Sequence, residues 1–202
     1  MSGGYVKVSG TWTKFNKSYR KVSGSWTAIN SIWDKISGSW TKVWVAFIPV
    51  TNTHSTPGSG SQTVPTGASQ VVITANGGGG GATWNHNGGN GGKCIKTIAI
   101  AQADWGASLS YAVGDQGGGG ITAASTSSGG NSTVSGTLAA GSISLLAGGG
   151  THASGGADGG AGSASGGDTN TTGGGATGGS LSGDNTVPGS SGNIGSVIFA
   201  WT

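Results

Sequence analysis

The chain has 202 residues, of which 46 are glycine; charged residues make up only 7% and glutamate is absent. Disordered chains combine low hydrophobicity with high net charge, whereas here a third of the residues are hydrophobic and eight are tryptophan, so composition predicts packing. Seven of the nine basic residues (Lys7, Lys14, Lys17, Arg20, Lys21, Lys35 and Lys42) and one acid, Asp34, fall in residues 1–42. They are dispersed at regular spacing among aromatics rather than clustered, so no nucleic-acid partner is expected.

The first 46 residues are a repeat. Tyr5–Thr13 recurs as Tyr19–Thr27 and again as Trp33–Thr41, with a period of fourteen and the consensus aromatic-x-Lys-(Val/Ile)-Ser-Gly-(Ser/Thr)-Trp-Thr. Aromatic and β-branched residues alternate with polar ones on either side of Ser-Gly, which predicts two short strands about a turn. Fourteen is two heptads, but a glycine and several Ser and Thr per unit, with no Leu or Glu, exclude a coiled coil. The expected product is a three-fold β-hairpin meander. It would carry one ladder of Trp12, Trp26 and Trp40 and a second of Tyr5, Tyr19 and Trp33, with lysines outside. A unit this small cannot bury such ladders alone, so these six aromatics are the candidate assembly interface, with platforms for sugar rings as the alternative reading, and a homo-oligomer, a trimer, is expected.

Val43–Val50 is the first sustained apolar stretch. It is too short to span a bilayer and stands too far along the chain for a signal peptide, so neither membrane insertion nor signal-directed export is expected. The lone Cys94 allows no internal disulfide. Residues 51–63 are rich in Ser, Thr, Gly and Pro and read as a linker. This divides the chain into repeats over 1–50, the linker, and a glycine-rich β domain over 64–202.

Within that domain 38 of the last 126 residues are glycine. Strands are predicted at Val71–Ala75, Ile95–Ile100, Leu109–Val113, Ser142–Leu146 and Val197–Trp201, with glycine tracts over Asn76–Gly92, Gly114–Gly120, Gly129–Gly136 and Gly148–Gly195. The glycines do not keep a Gly-X-Y triplet, which excludes collagen. A flexible linker of the last tract's length would be unusual inside a compact domain. The tracts are therefore expected to form a bundle of extended, three-residue-per-turn polyglycine II helices, in which only glycine lets backbones come close enough to bond. The fold class expected is all-β.

Catalytic signals are absent. His54, His86 and His152 are far apart, and neither they nor Cys94 have metal-ligand spacing. Asn87–Cys94 falls short of a phosphate-binding loop at both its first glycine and its hydroxyl position, and Ala164 replaces the aspartate of a calcium-binding glycine repeat. No enzyme activity, metal or cofactor is expected. Trp84, Asn85, His86 and Asn87 are the one place where an aromatic and three polar groups interrupt a glycine tract. They are the candidate receptor contact, suited to a sugar or a polar protein loop.

Thr63–Gly81, with its Thr-Val-Pro-Thr-Gly opening leading into five glycines, resembles the start of the glycine-rich domain of bacteriophage tail-fibre and tail-tip proteins. Gly106–Gly118, Ser144–Gly150 and Gly192–Trp201 resemble later elements of that family, in order, over about 140 residues. The repeats look like short Trp-containing repeats of phage structural proteins. The glycine-rich extracellular region of the anaplastic lymphoma kinase family, where β-sandwich strands carry polyglycine helices, is also similar. These resemblances imply a sandwich with glycine helices and no catalytic residues. They imply a virion protein made in the host cytoplasm, with other tail proteins and a host cell-surface glycan or protein as partners. A purely structural decoration or cement protein, and more remotely an ice-binding protein, are the alternative expectations.

Overall fold

The structure, a computed structural model, describes residues 4–8, 11–15, 18–29, 31–45, 47–154 and 156–202. Among the described residues it is all-β, with helix limited to two single 3-10 turns at Gln102–Asp104 and Ala123–Ser125.

The three repeats form three antiparallel hairpins: β1 (Gly4–Val8) with β2 (Thr11–Phe15), β3 (Ser18–Val22) with β4 (Ser25–Ile29), and β5 (Ser31–Ile36) with β6 (Ser39–Val45). Ser23 and Gly24 have φ of 48° and 87°, and Ser37 and Gly38 of 51° and 87°. Two successive positive φ values mark the type I′ turn, whose twist matches that of the strands it joins. The corresponding turn of the first hairpin, Ser9-Gly10, lies outside the described residues. Each hairpin is described as its own two-stranded sheet, and a continuous sheet across the repeats is not among the described pairings. Register also relocates the lysines. Lys7, Lys21 and Lys35 stand directly opposite Trp12, Trp26 and Trp40, and opposed residues in an antiparallel pair share a face. The lysines thus share the tryptophan face rather than standing on the face opposite to it.

Residues 51–63 are not a linker. They hold most of β7 (Val50–His54) and all of β8 (Gly58–Thr63), edge strands of two different sheets. β7 pairs with β16 (Ser196–Trp201), which pairs with β9 (Gln70–Asn76), then β10 (Lys93–Ala99) and β15 (Thr169–Thr171). β8 pairs with β11 (Ser108–Val113), followed by β12 (Ser132–Leu138), β13 (Gly141–Ala147) and β14 (Ala164–Ser165). All these pairings are antiparallel. Edge strands bond through the main chain along one side only and need few apolar side chains, which is why linker-like composition can still make a ladder.

The five expected strands correspond to β9, β10, β11, β13 and β16. Two tracts are shorter than their composition suggests: β12 begins inside Gly129–Gly136, and β14 and β15 interrupt Gly148–Gly195. Gly136 sits within β12 because a Cβ there would lie 2.6 Å from Leu109 Cδ2 on β11.

The two sheets enclose one core. Val71, Ile73 and Ala75 of β9, Val197, Phe199 and Trp201 of β16, Leu109 of β11, Val134 of β12 and Ile143 and Leu145 of β13 are all buried. The period-two pattern of each strand gives one face to this core. Asp104 is buried beside it and fully used: Oδ2 accepts from the amide of Ala101 (2.9 Å) and Oδ1 from that of Ala139 (2.6 Å). It thereby ties the β10–β11 connection to the β12–β13 turn. Cys94 is buried on β10, and burial pushes its thiol pKa up.

Candidate functional site

The strand registers bring one end of the sheets together. Asn76 is opposite both Lys93 and Ser196, Lys93 is opposite Thr171, and Ala147 is opposite both Ser132 and Ala164. From this end four excursions leave and return: residues 77–92, 114–131, 148–163 and 173–195. Hydrogen bonds join them, among them Gly195 N to Gly114 O (3.0 Å) and Gly78 N to Gly130 O (2.9 Å).

Residues 77–83 run through their middle. Gly77, Gly80 and Thr83 donate their amides to Gly92, Gly89 and His86; Gly78 and Gly81 donate to Gly130 and Ser127; Gly79 and Ala82 donate to Asn193 and Ser190. The carbonyls follow the same rotation. Those of Gly77 and Gly80 accept from Ala176 and Gly179, those of Gly78 and Gly81 from Gly150 and Ala153, and those of Gly79 and Ala82 from Gly117 and Gly120. All these bonds measure 2.7–3.1 Å. Each third residue therefore addresses the same neighbour, and one extended segment is held by six others with its backbone polar groups satisfied. The glycines are required by the close approach: a Cβ on Gly77, Gly78, Gly79, Gly80 or Gly81 would come within 3.0 Å of the carbonyl of Gly148, Asp115, Thr177, Thr151 or Gly118 respectively.

The four excursions turn around at residues 84–86, 121–126, 154 with 156–157, and 181–188, at the end opposite the sheets. Three of these turns line a shallow cleft of about 190 Å³, formed by Thr83, Trp84, Asn85, His86, Ile121, Thr122, Ala123 and Gly156. The fourth is bonded to it, since Gly183 donates to the carbonyl of Trp84 (2.7 Å). Within the first turn, Thr83 N donates to His86 O (2.9 Å), His86 N to Thr83 Oγ1 (3.1 Å), and Thr83 Oγ1 to Asn85 Oδ1 (3.1 Å). Thr83 is buried and holds the loop, which leaves Trp84 and His86 partly exposed and Asn85 exposed. His86 Nδ1 lies 3.5 Å from Asp158 Oδ1, across to the third excursion.

Of the four candidate receptor contacts, the structure brings Trp84, Asn85 and His86 into the cleft. Asn87 is not among its lining residues. Its amide donates to Asp158 Oδ1 (2.8 Å), its carbonyl accepts from Gly159 (2.7 Å) and its side-chain oxygen from Leu181 N (3.0 Å), which makes it a cross-brace between excursions. Ile121, Thr122, Ala123 and Gly156 were not legible as site residues, because only the bundle brings these turns to one place. The near-miss phosphate loop has its donors occupied: the amides of Gly88, Gly89, Gly91 and Gly92 bond to Gly179, Thr151, Ala176 and Gly148.

The other histidines lie elsewhere. His54, on the edge strand β7, stacks on Tyr111 of β11 in the other sheet (ring centroids 4.0 Å), and His152 Nδ1 bonds with Ser128 Oγ (3.1 Å). Among the described residues no group of three or more His, Cys, Asp or Glu is placed to hold a metal ion. The six aromatics of the candidate assembly interface fall on one face of each hairpin by register. Of these, Trp33 and Trp40 are described in full and are 51% and 68% exposed. No family model matches the chain, and no curated protein matches it.

Proposed function

We propose that this chain is a bacteriophage virion protein of the tail-fibre or tail-tip kind, whose glycine-rich unit carries a host-contacting cleft at its far end. The observation that supports this reading is the convergence of all four glycine excursions on one tip that holds Trp84, Asn85 and His86. The three-residue rotation of hydrogen bonds along 77–83 is the pattern expected of packed polyglycine II helices, which rise about 3.1 Å per residue without internal bonds. Helices bonded on all sides make a stiff spacer, and loops at the end of a stiff spacer are where recognition residues can vary without cost to the fold. The partly exposed indole beside amide and imidazole groups suits a host cell-surface glycan or a polar protein loop. The hairpins of the repeats join the chain to other tail proteins and to its own copies, a trimer being the symmetry a fibre uses.

The test is binding of fluorescently labelled protein to a panel of bacterial cells. In the double variant Trp84→Ala/His86→Ala, with the far-ultraviolet dichroism and the urea midpoint unchanged, binding to the cells that the parent chain recognises is expected to fall about tenfold or more. Asp168→Asn, at the sheet edge, is expected to leave binding unchanged. Retained binding in the double variant removes the cleft as the site. A parent chain that binds no cell but still joins virions favours the purely structural reading.

A further inference from the structure

The hairpins segregate charge by face. Tyr5, Lys7, Trp12 and Lys14 share one face of the first hairpin, since Tyr5 is opposite Lys14 and Lys7 opposite Trp12. In the third, Trp33 is opposite Lys42 and Lys35 opposite Trp40, so these four also share a face. In the second, Tyr19 is opposite Ala28 and Lys21 opposite Trp26. This face carries six aromatic and five lysine positions over the three hairpins and no acid. The charged residues on the other face are Arg20, opposite Thr27, and Asp34, opposite Thr41.

Directly opposed positions are about 5 Å apart, and alternate positions along a strand about 6.6 Å. In the first and third hairpins, aromatic and lysine positions therefore alternate at the corners of a small rectangle. Trp33, Lys35 and Trp40 are exposed to solvent in the third. An aromatic surface takes the C–H face of a sugar ring, and a lysine beside it supplies a point charge for a carboxylate or sulfate on that ring. Arginine, with its planar fork, is the residue matched to phosphate and to base stacking, and the single arginine lies on the opposite face. The opposite face also carries the apolar Val6, Val8, Phe15, Val22, Ile29, Ile32, Ile36 and Trp44, without a lysine among the described positions, and is the one suited to packing against other subunits.

We propose that the aromatic–lysine face of the three hairpins binds an anionic polysaccharide, carboxylated or sulfated, one hairpin per short segment of the polymer. Three such units in one chain bind a polymer multivalently, because each engaged hairpin raises the effective concentration for the next. This site is separate from the tip cleft and moves the assembly contact to the opposite hairpin face.

The experiment uses the full chain immobilised on a sensor, with sodium alginate, dextran sulfate, neutral dextran and oligo(dT) as probes at low and high salt. Alginate, dextran sulfate or both are expected to bind at low salt and weaken at high salt, with no binding of neutral dextran. The triple variant Lys7→Gln/Lys21→Gln/Lys35→Gln is expected to lose roughly tenfold or more in affinity, since three linked contacts weaken together. Arg20→Gln on the other face is expected to stay within about twofold. Trp40→Ala serves as a second probe that keeps every charge, and is expected to weaken binding about threefold. Trp84→Ala/His86→Ala is expected to bind these polymers as the parent does, which separates this proposal from the tip reading. Absence of binding to both anionic sugars, parent-like affinity in the triple variant, or tighter binding of oligo(dT) than of either polysaccharide would overturn it.

Discussion

Gly79→Ala is expected to destabilise the protein by about 4 kcal/mol, combining steric overpacking with lost hydrogen bonds. A Cβ there runs into the carbonyl of Thr177. The same residue donates to Asn193 (2.8 Å) and accepts from Gly117 (2.7 Å), so the backbone cannot shift without loosening both neighbours. Two other tract glycines give the contrast. A Cβ on Gly118 meets only Ser127 Oγ at 3.4 Å, and one on Gly160 only Thr151 Oγ1 at 3.4 Å. Gly118→Ala and Gly160→Ala are expected within about 0.5 kcal/mol of the parent, or slightly stabilising through the less flexible unfolded chain. Equilibrium urea unfolding measures all three. Equal effects at Gly79, Gly118 and Gly160 would mean that close backbone packing is not what the glycines supply.

Trp201→Ala is expected to cost about 4 kcal/mol, the range for truncating a buried aromatic. Trp201 is 1% exposed and lies parallel to Phe199 with centroids 5.9 Å apart. Its Nε1 donates to Asn52 Oδ1 (3.2 Å), joining β16 to the edge strand β7. Trp201→Phe keeps the ring stacking and loses the hydrogen bond and part of the volume, so about 1–2 kcal/mol is expected. Urea midpoints of the two variants, read at equal slope, check the order. A midpoint for Trp201→Ala equal to that of the parent would show that β16 does not close the core.

The strands that carry the core were visible because their alternation is strong: Val71, Ile73 and Ala75, or Leu109, Tyr111 and Val113, need no context to be read. The repeats were equally plain, and Ser-Gly between β-branched residues gave the hairpin turns. β7 and β8 were hidden because their order comes from main-chain pairing with β16 and β11, contacts far away in sequence. β12 was hidden behind Gly136, which packs under Leu109. Trp84, Asn85 and His86 stood out as an interruption in a glycine tract, but their partners did not. Ile121, Thr122 and Ala123 look like ordinary turn residues until the bundle places them beside Trp84. Asn87 reads like its neighbours in sequence and differs only in having its polar groups bound to Asp158, Gly159 and Leu181.

The central claim is that the glycine tracts form a cooperative bundle that holds the tip in place. Amide hydrogen exchange resolved at residues 77–82 tests it most directly. Each of these amides has a backbone acceptor in a neighbouring segment, so exchange is expected only through opening of the folded unit. The account predicts protection comparable to that of the amides of Val71–Ala75 in β9. Exchange of Gly77–Ala82 at the rate of an unstructured glycine chain, with β9 still protected, would contradict it.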